Sequence, residues 1–96
     1  MSRALYRGTL IAESEQCLEV EGTLYFPPDS VCQEYLKASP TSTHCPWKGQ
    51  ATYFHLIVND QRLDDAAWTY ENPAPKAFHI RDHIAFYQRR GLKVEG

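Results

Sequence analysis

Short apolar segments alternate with turn signals along the first third of the chain. Ala4–Tyr6 and Thr9–Ala12 flank Arg7-Gly8, which suits a tight turn between two strands. Leu18–Val20 alternates apolar and acidic residues, the pattern of a half-buried strand, and a turn then leads into Leu24–Phe26. Turn signals that recur every ~8–12 residues are typical of short strands, so this part is predicted to be β.

The second half of the chain contains the strongest strand signal. Ala51–Val58 is rich in β-branched and aromatic residues. Asn59-Asp60-Gln61 predicts a hairpin turn, after which Arg62–Trp68 returns as the neighbouring strand. Further along, we predict a short helical turn over Pro75–Arg81 and a last strand over His83–Tyr87.

One longer helix is predicted between these two parts. Pro27-Pro28 ends the preceding strand, and Asp29 is a suitable helix cap. The apolar residues that follow recur at helical spacing: Val31, Cys32, Tyr35 and Leu36. We therefore expect a two-turn helix ending near Lys37, with Ser39–Ser42 as a loop. The whole pattern predicts a mainly β single domain over residues 1–96, with antiparallel sheets and one or two short helices.

Charge and hydropathy narrow the range of partners. Ten Lys and Arg stand against twelve Asp and Glu, a formal charge of −2, so the electrostatic attraction of nucleic-acid-binding domains is not expected. The longest apolar run, Leu56-Ile57-Val58, is far shorter than the ~20 residues that a membrane helix needs. The N-terminus carries charge but no apolar signal-peptide core. We expect a cytoplasmic protein that binds neither nucleic acid nor membrane.

The sequence contains no motif for a metal or a phosphate. Cys17, Cys32 and Cys45 are odd in number and form no CxxC pair, so neither a disulfide framework nor a structural zinc site is expected. Asp64 and Asp65 are adjacent, and on a regular strand they would point to opposite faces, which disfavours a two-metal site. No glycine-rich phosphate loop occurs. We therefore expect no metal and no cofactor.

Reactive side chains are concentrated in the segment Thr43–Gly49. A cationic neighbour such as Lys48 or His44 would stabilise a thiolate at Cys45 and make it reactive. The alternative is packing, since a strand would place Cys45 and Trp47 on one face and the two basic side chains on the other. A bulge at the following glycine would break this alternation and turn the lysine inward.

Aromatic residues are unusually frequent: two Trp, six Tyr and four Phe exceed what a small core needs. Trp68 and Tyr70 share one face of their strand, and rings from neighbouring strands would complete an aromatic wall. We predict a small-molecule pocket there, with Lys48 contacting an anionic group and Cys45 at the floor. The predicted ligand-binding residues are Cys45, Trp47, Lys48, Tyr53, Trp68 and Tyr70. Ordinary core packing of these rings is the alternative.

Three segments carry a family resemblance. Thr43-x-Cys45-Pro46-Trp47-Lys48-Gly49-x-Ala51-x-Tyr53 is followed by Ala67-Trp68-x-Tyr70-x-x-Pro73 and then by Ile80-x-x-His83-Ile84-Ala85-Phe86-Tyr87. In this order they resemble the bacterial and fungal family called domain of unknown function 427. The resemblance implies a β-tent, or Mss4-like, fold of antiparallel sheets with a cleft between them. The family also carries a nucleotidyltransferase-like label. Because zinc-carrying β-tent proteins bind the metal through paired CxxC motifs, the lack of CxxC pairs here implies a metal-free member of that fold.

Three functions are therefore open. The favoured one is a module that binds an unidentified small molecule in the aromatic pocket. The second is a protein-interaction module, such as a homodimer, whose surplus aromatic rings form an interface. The third is an enzyme that uses the Cys45 thiol or the nucleotidyltransferase activity of the family label.

Overall fold

Nine strands in three antiparallel sheets make up the computed structural model, which describes residues 1–96. The strands are β1 Ser2–Tyr6, β2 Thr9–Ser14, β3 Leu18–Val20, β4 Thr23–Tyr25, β5 Leu36–Cys45, β6 Gly49–Val58, β7 Gln61–Thr69, β8 Ile84–Phe86 and β9 Leu92–Glu95. They form a four-stranded sheet in the order β5-β6-β7-β8, a three-stranded sheet in the order β2-β1-β9, and the separate hairpin β3-β4. The predicted mainly β class is confirmed.

Three hairpins have the short turns that the sequence predicts. The loops of β1–β2, β3–β4 and β6–β7 begin with Arg7, Glu21 and Asn59, whose φ angles are 50°, 53° and 55°. Positive φ at the first loop position gives a turn whose twist matches that of the strands it joins. The local turn residues thus specify these three pairings.

The predicted two-turn helix ending near Lys37 is wrong. The segment instead contains two separate 3-10 turns, Pro28–Ser30 and Gln33–Tyr35. Val31 between them is extended, with φ −107° and ψ 136°, and it pairs with Ala12 of β2. The backbone at this point gains its hydrogen bonds from another strand, which overrides the helical spacing of the side chains.

The predicted loop Ser39–Ser42 lies within β5. The register of β5 against β6 shifts between Ala38 and Ser42. Pro40 lies in this irregular stretch, as expected for a residue that cannot donate to a sheet ladder. The predicted helical turn is confirmed as a 3-10 turn over Pro75–Ile80, and the structure has no α-helix. No helical segment has the length and apolar character required to cross a membrane.

Two hydrophobic clusters form the core. The larger one lies between the sheets and includes the fully buried side chains of Ile11, Phe26 and Leu56. The smaller one contains three tyrosines and lies under the β3–β4 hairpin: Tyr25, Tyr53 and Tyr70. The smaller cluster is the one that positions the candidate site.

Candidate functional site

A tight turn joins β5 to β6 where the reactive segment lies. Cys45 pairs with Gly49 across the two strands, so Pro46, Trp47 and Lys48 form the turn. The predicted strand alternation is therefore wrong beyond Cys45. Trp47 is 38% exposed at the tip, whereas the Lys48 side chain turns inward and is only 11% exposed. This inward orientation of Lys48 agrees with the alternative expectation that the strand alternation is broken next to Gly49.

Gly49 makes this turn possible. Its φ is +108°, and a Cβ built on it would lie 3.3 Å from the backbone nitrogen of Ala74 and 3.5 Å from Cα of Pro73. The same Ala74 nitrogen donates a hydrogen bond to the Lys48 carbonyl oxygen at 2.8 Å. The turn is thus fixed against the segment that follows β7, and a side chain at position 49 would push the two apart.

Gly49→Ala should therefore lower the free energy of unfolding more than Gly8→Ala. Both glycines have positive φ, +108° and +87°, but nothing lies within 4 Å of a Cβ at Gly8. The control Gly8→Ala should lower the free energy of unfolding by about 1–2 kcal/mol through backbone strain alone. Gly49→Ala should lower it further, because the new Cβ would also press on the backbone of Pro73 and Ala74. Urea denaturation of both variants measures the difference. Equal losses would show that the contact with Ala74 is unimportant.

Lys48 is held by a carboxylate and by aromatic rings. Its Nζ lies 2.7 Å from Oε1 of Glu21, 5.3 Å from the Trp47 ring centroid and 5.8 Å from that of Tyr70. Burial alone would lower the pKa of Lys48. The hydrogen bond with Glu21 and the nearby Tyr25 and Tyr70 together outweigh it, so the pKa lies above its ordinary value. Lys48 therefore ties the β3–β4 turn to the β5–β6 turn as a cation.

Glu21→Gln should destabilise the protein near neutral pH and not at low pH. The hydrogen bond from Lys48 lowers the pKa of Glu21 below its ordinary value of 4.5. A lowered carboxyl pKa contributes stability above the unfolded-state pKa, and this contribution is lost as the pH falls through the folded-state value. The Tm difference from the wild type should be present at neutral pH and should vanish as the pH falls below 4.5.

The matched control for this measurement is Glu15→Gln, which removes an exposed carboxylate that has no ion-pair partner. The control should leave the Tm nearly unchanged at both pH values. A Tm difference for Glu21→Gln that persists at low pH would contradict the role of the Lys48 ion pair.

Five rings, here called the aromatic cluster, lie beside this ion pair. Trp68 is at the centre, with centroid distances of 4.5 Å to Tyr87, 6.3 Å to Tyr25 and 6.4 Å to Tyr53. Tyr53 also stacks on Tyr87 at 6.4 Å with an interplanar angle of 12°. Tyr70 joins through Tyr25 at 6.4 Å. Aromatic contacts at these distances are favourable beyond simple burial and fix the ring orientations.

Burial within the aromatic cluster is graded. Tyr25, Tyr53 and Tyr70 are buried, Trp68 is half-buried, and Tyr87 is 42% exposed. A hydrogen bond with Tyr53, together with burial, raises the pKa of Tyr87 to about 12. Desolvation likewise raises the pKa of Tyr70. Both phenols are therefore neutral at physiological pH.

The exposed side of the aromatic cluster faces two clefts. The larger, of about 500 Å³, lies between the β3–β4 hairpin and the ends of β8 and β9. Its apolar lining consists of Leu24, Trp68, Phe86, Tyr87 and Val94. The smaller cleft, of about 370 Å³, is lined by Tyr53, Thr43, Arg89 and again Tyr87. Tyr87 therefore borders both clefts, and the larger one also exposes Trp68.

The six predicted site residues gather around the aromatic cluster without lining one cavity. Trp68 lines the larger cleft and Tyr53 the smaller one. Tyr70 is buried behind them, and Cys45 is half-buried against the same core. Trp47 and Lys48 lie at the β5–β6 turn, and neither lines any of the five clefts of the structure.

Two important residues lie outside the predicted set. Tyr87 directly follows the short strand β8, and its signal in the sequence is its place at the end of the resembling segment Ile80–Tyr87. Glu21 lies in the β3–β4 turn and contacts Lys48 from 27 positions earlier in the chain. An ion pair across such a separation has no local sequence signal.

The prediction that Asp64 and Asp65 point to opposite faces is wrong. Asp65 has φ 49°, and the register of β6 against β7 shifts between Phe54 and Leu56. This bulge brings both carboxylates toward His55, with Oδ1 atoms 3.5 Å and 3.7 Å from its Nδ1. No group of three or more acidic, histidine or cysteine side chains is arranged to hold a metal ion.

Comparison with known proteins places the chain in a family. No curated protein matched the chain. A family model described as a domain of unknown function, DUF427, matches residues 2–95. The match agrees with the resemblance carried by the Cys45, Trp68 and Tyr87 segments, and it extends over nearly the whole sequence. The chain therefore belongs to the DUF427 family.

Proposed function

We propose that this protein is a small-ligand-binding module whose ligand lies in the larger cleft against Trp68 and Tyr87. The observation that carries the proposal is the pair of rings 4.5 Å apart, which forms one wall of a cleft of about 500 Å³. Sites for small molecules have volumes of roughly 300–1,000 Å³ and combine an apolar lining with a few polar groups. The volume of this cleft lies in that range, and five of its eleven lining residues are apolar.

Neighbouring rings pack against the central residue of the wall. Trp68 is held on three sides by Tyr25, Tyr53 and Tyr87. Its indole N–H donates a long hydrogen bond of 3.4 Å to the Tyr25 hydroxyl oxygen. A preformed aromatic surface loses little conformational entropy on binding, which favours affinity.

The other predicted site residues have supporting roles in this proposal. Tyr53 and Tyr70 pack behind the wall, and Cys45 packs against the same cluster. Lys48 bonds to Glu21 and thereby holds the β3–β4 hairpin, which forms the opposite side of the cleft. We therefore assign Lys48 to the shape of the cleft and not to direct contact with an anionic ligand.

We also propose that the fold is the β-tent, or Mss4-like, arrangement implied by the resemblance. Two features support this: three antiparallel sheets pack around shared cores, and the larger cleft opens between elements of different sheets.

A ligand screen with matched variants tests the binding proposal. Fragments that include neutral, cationic and anionic aromatic compounds would be added to ¹⁵N-labelled protein, and amide shifts recorded by NMR. Compounds that bind should shift the amides of Thr23, Trp68 and Val94, and Tyr87→Ala should abolish the shifts. The control Phe78→Ala removes an exposed ring outside the cleft and should leave them intact. Fragments that shift only amides elsewhere would contradict the proposal.

Self-association is the second candidate, and the exposure of large apolar side chains favours it. Trp47, Phe78 and Tyr87 are 38%, 55% and 42% exposed. Exposed aromatic side chains are frequent in protein interfaces. Sedimentation equilibrium at two concentrations addresses this: a monomer at high micromolar concentration would exclude a homodimer, and a dimer lost in Trp47→Ala or Phe78→Ala would support one.

The enzyme alternatives have less support from the geometry. Thiol chemistry at Cys45 needs a base or a cation, and the Lys48 ammonium bonds to Glu21 instead. For nucleotidyl transfer, the carboxylates of Asp64 and Asp65 are already bound, the first by Arg62. Release of pyrophosphate from a nucleoside triphosphate with Mg²⁺, lost in Asp64→Asn, would overturn this ranking.

A further inference from the structure

We infer that the ligand of the larger cleft is an organic cation of the methylated ammonium type. This inference rests on the proposed function and adds the chemical class of the ligand. It is carried by two observations that concern charge: where the protein places its own cations on the aromatic cluster, and which charged side chain lines the cleft.

The protein's own cations cover the two ends of the aromatic cluster. Lys48 lies over Tyr70 with its Nζ 5.8 Å from the ring centroid. Arg89 lies over Tyr87 at 5.7 Å, and it lines the smaller cleft. No lysine or arginine lies over Trp68 at the centre. Indole binds cations more strongly than the other aromatic rings, so the best ring of the cluster is the one without a cation.

The charge of the larger cleft complements a cation. Glu19 is the one lining residue with a charged side chain, and no lysine, arginine or histidine lines the cleft. Glu19 is exposed and forms no ion pair within the protein. An anion would meet this carboxylate unfavourably, whereas a cation would be attracted to the carboxylate and to the Trp68 ring, both of which line the cleft.

The apolar lining selects among cations. Leu24, Phe86 and Val94 offer no hydrogen-bond acceptor on their side chains. A primary ammonium or a metal ion placed against these three side chains would lose water, and the only side-chain oxygens to replace it lie in the polar part of the lining, which includes Glu19, Ser2, Thr23 and Gln88. A methylated ammonium spreads its charge over apolar methyl groups, so it keeps the attraction to Trp68 and Glu19 at a smaller desolvation cost. Aromatic surfaces are the usual binding partners of such groups.

Choline and its neutral isostere 3,3-dimethylbutan-1-ol provide the test. They have the same shape and differ in charge. Trp47→Phe leaves Trp68 as the single tryptophan, so its fluorescence reports on the cleft. We expect choline to bind about tenfold more tightly than the isostere in this background. Glu19→Gln, added to the Trp47→Phe protein, should remove most of the difference, and the control Glu15→Gln should not.

The outcomes separate this inference from the proposed function. Equal affinity of choline and the isostere, unchanged by Glu19→Gln, would overturn the inference and leave the cleft as a neutral-ligand site. An anionic compound that outcompetes choline in the cleft would also overturn it. If neither probe changes Trp68 fluorescence and the fragment screen finds binders only elsewhere, both the inference and the proposed function fail.

Discussion

Phe26→Ala should lower the free energy of unfolding by about 3–5 kcal/mol, the cost of truncating a buried aromatic side chain. Phe26 is 0% exposed, and its ring packs edge-to-face on Phe86 at 5.6 Å. Its backbone N–H and carbonyl both pair with Ile84, each at 2.8 Å. The residue therefore joins the end of the β3–β4 hairpin to β8, and the cavity left by alanine would lie where one side of the cleft is anchored.

Urea denaturation followed by circular dichroism measures this loss. The control Phe78→Ala truncates the same residue type at 55% exposure and should change the free energy of unfolding by less than about 0.5 kcal/mol. A Phe26→Ala protein as stable as the control would show that the hairpin is not anchored through this core.

Trp68→Ala should have the largest effect on binding, because it removes the centre of the wall. It should abolish the binding of cleft ligands and lower the free energy of unfolding by about 2–4 kcal/mol, less than for a fully buried tryptophan. The stability loss follows from the three ring contacts with Tyr25, Tyr53 and Tyr87. Isothermal titration with a fragment from the screen, together with urea denaturation, measures both effects.

Trp68→Phe separates binding from folding. Phenylalanine keeps an aromatic face and loses the indole N–H, whose hydrogen bond to Tyr25 is long at 3.4 Å. We expect a stability near that of the wild type with weakened binding. Trp47→Phe, at the exposed turn, should leave binding unchanged. Ligand affinity retained in Trp68→Ala protein that is still folded would place the ligand elsewhere.

The parts of the fold that the sequence predicts correctly are those with local causes. The Arg7-Gly8 turn and the Asn59 turn select their hairpins through backbone conformation alone. Ala51–Val58 has β-branched and aromatic residues throughout and forms most of β6. Pro75 likewise begins the helical turn that was predicted after β7.

The predictions that are wrong concern segments whose conformation depends on backbone pairing with residues far away in the sequence. Helical spacing over Val31–Leu36 is real, but pairing of Val31 with Ala12 requires an extended chain at that point. The orientation of the Asp64 and Asp65 carboxylates is set by a bulge, and this bulge depends on the register of β7 against β6. Neither the pairing nor the register can be read from the segment itself.

In the candidate site, too, features with a local sequence signal were predictable, and features that depend on distant segments were not. Residue types alone predicted an aromatic wall that includes Trp68, but they did not predict that Tyr87 packs on it at 4.5 Å or that Trp47 lies away from the cleft. The cleft in front of it is formed by β1, the β3–β4 hairpin, β8 and β9, which come together only in the folded chain. The bond between Lys48 and Glu21 likewise depends on two turns that meet in space. A positive side chain near aromatic rings was therefore predicted as a ligand contact, whereas the fold uses it as an internal tie.

The position of a bound molecule decides whether the cleft against Trp68 and Tyr87 is the binding site. The measurement is an isotope-filtered NOE spectrum of ¹³C-labelled protein with unlabelled 3,3-dimethylbutan-1-ol, repeated with choline, whose methyl protons give sharp signals. We predict NOEs from the methyl protons of at least one probe to the ring protons of Trp68 and Tyr87 and to the methyl groups of Leu24 and Val94. NOEs that connect the probes only to Trp47 or Phe78, or to no part of the cleft, would show that the cleft is not the binding site.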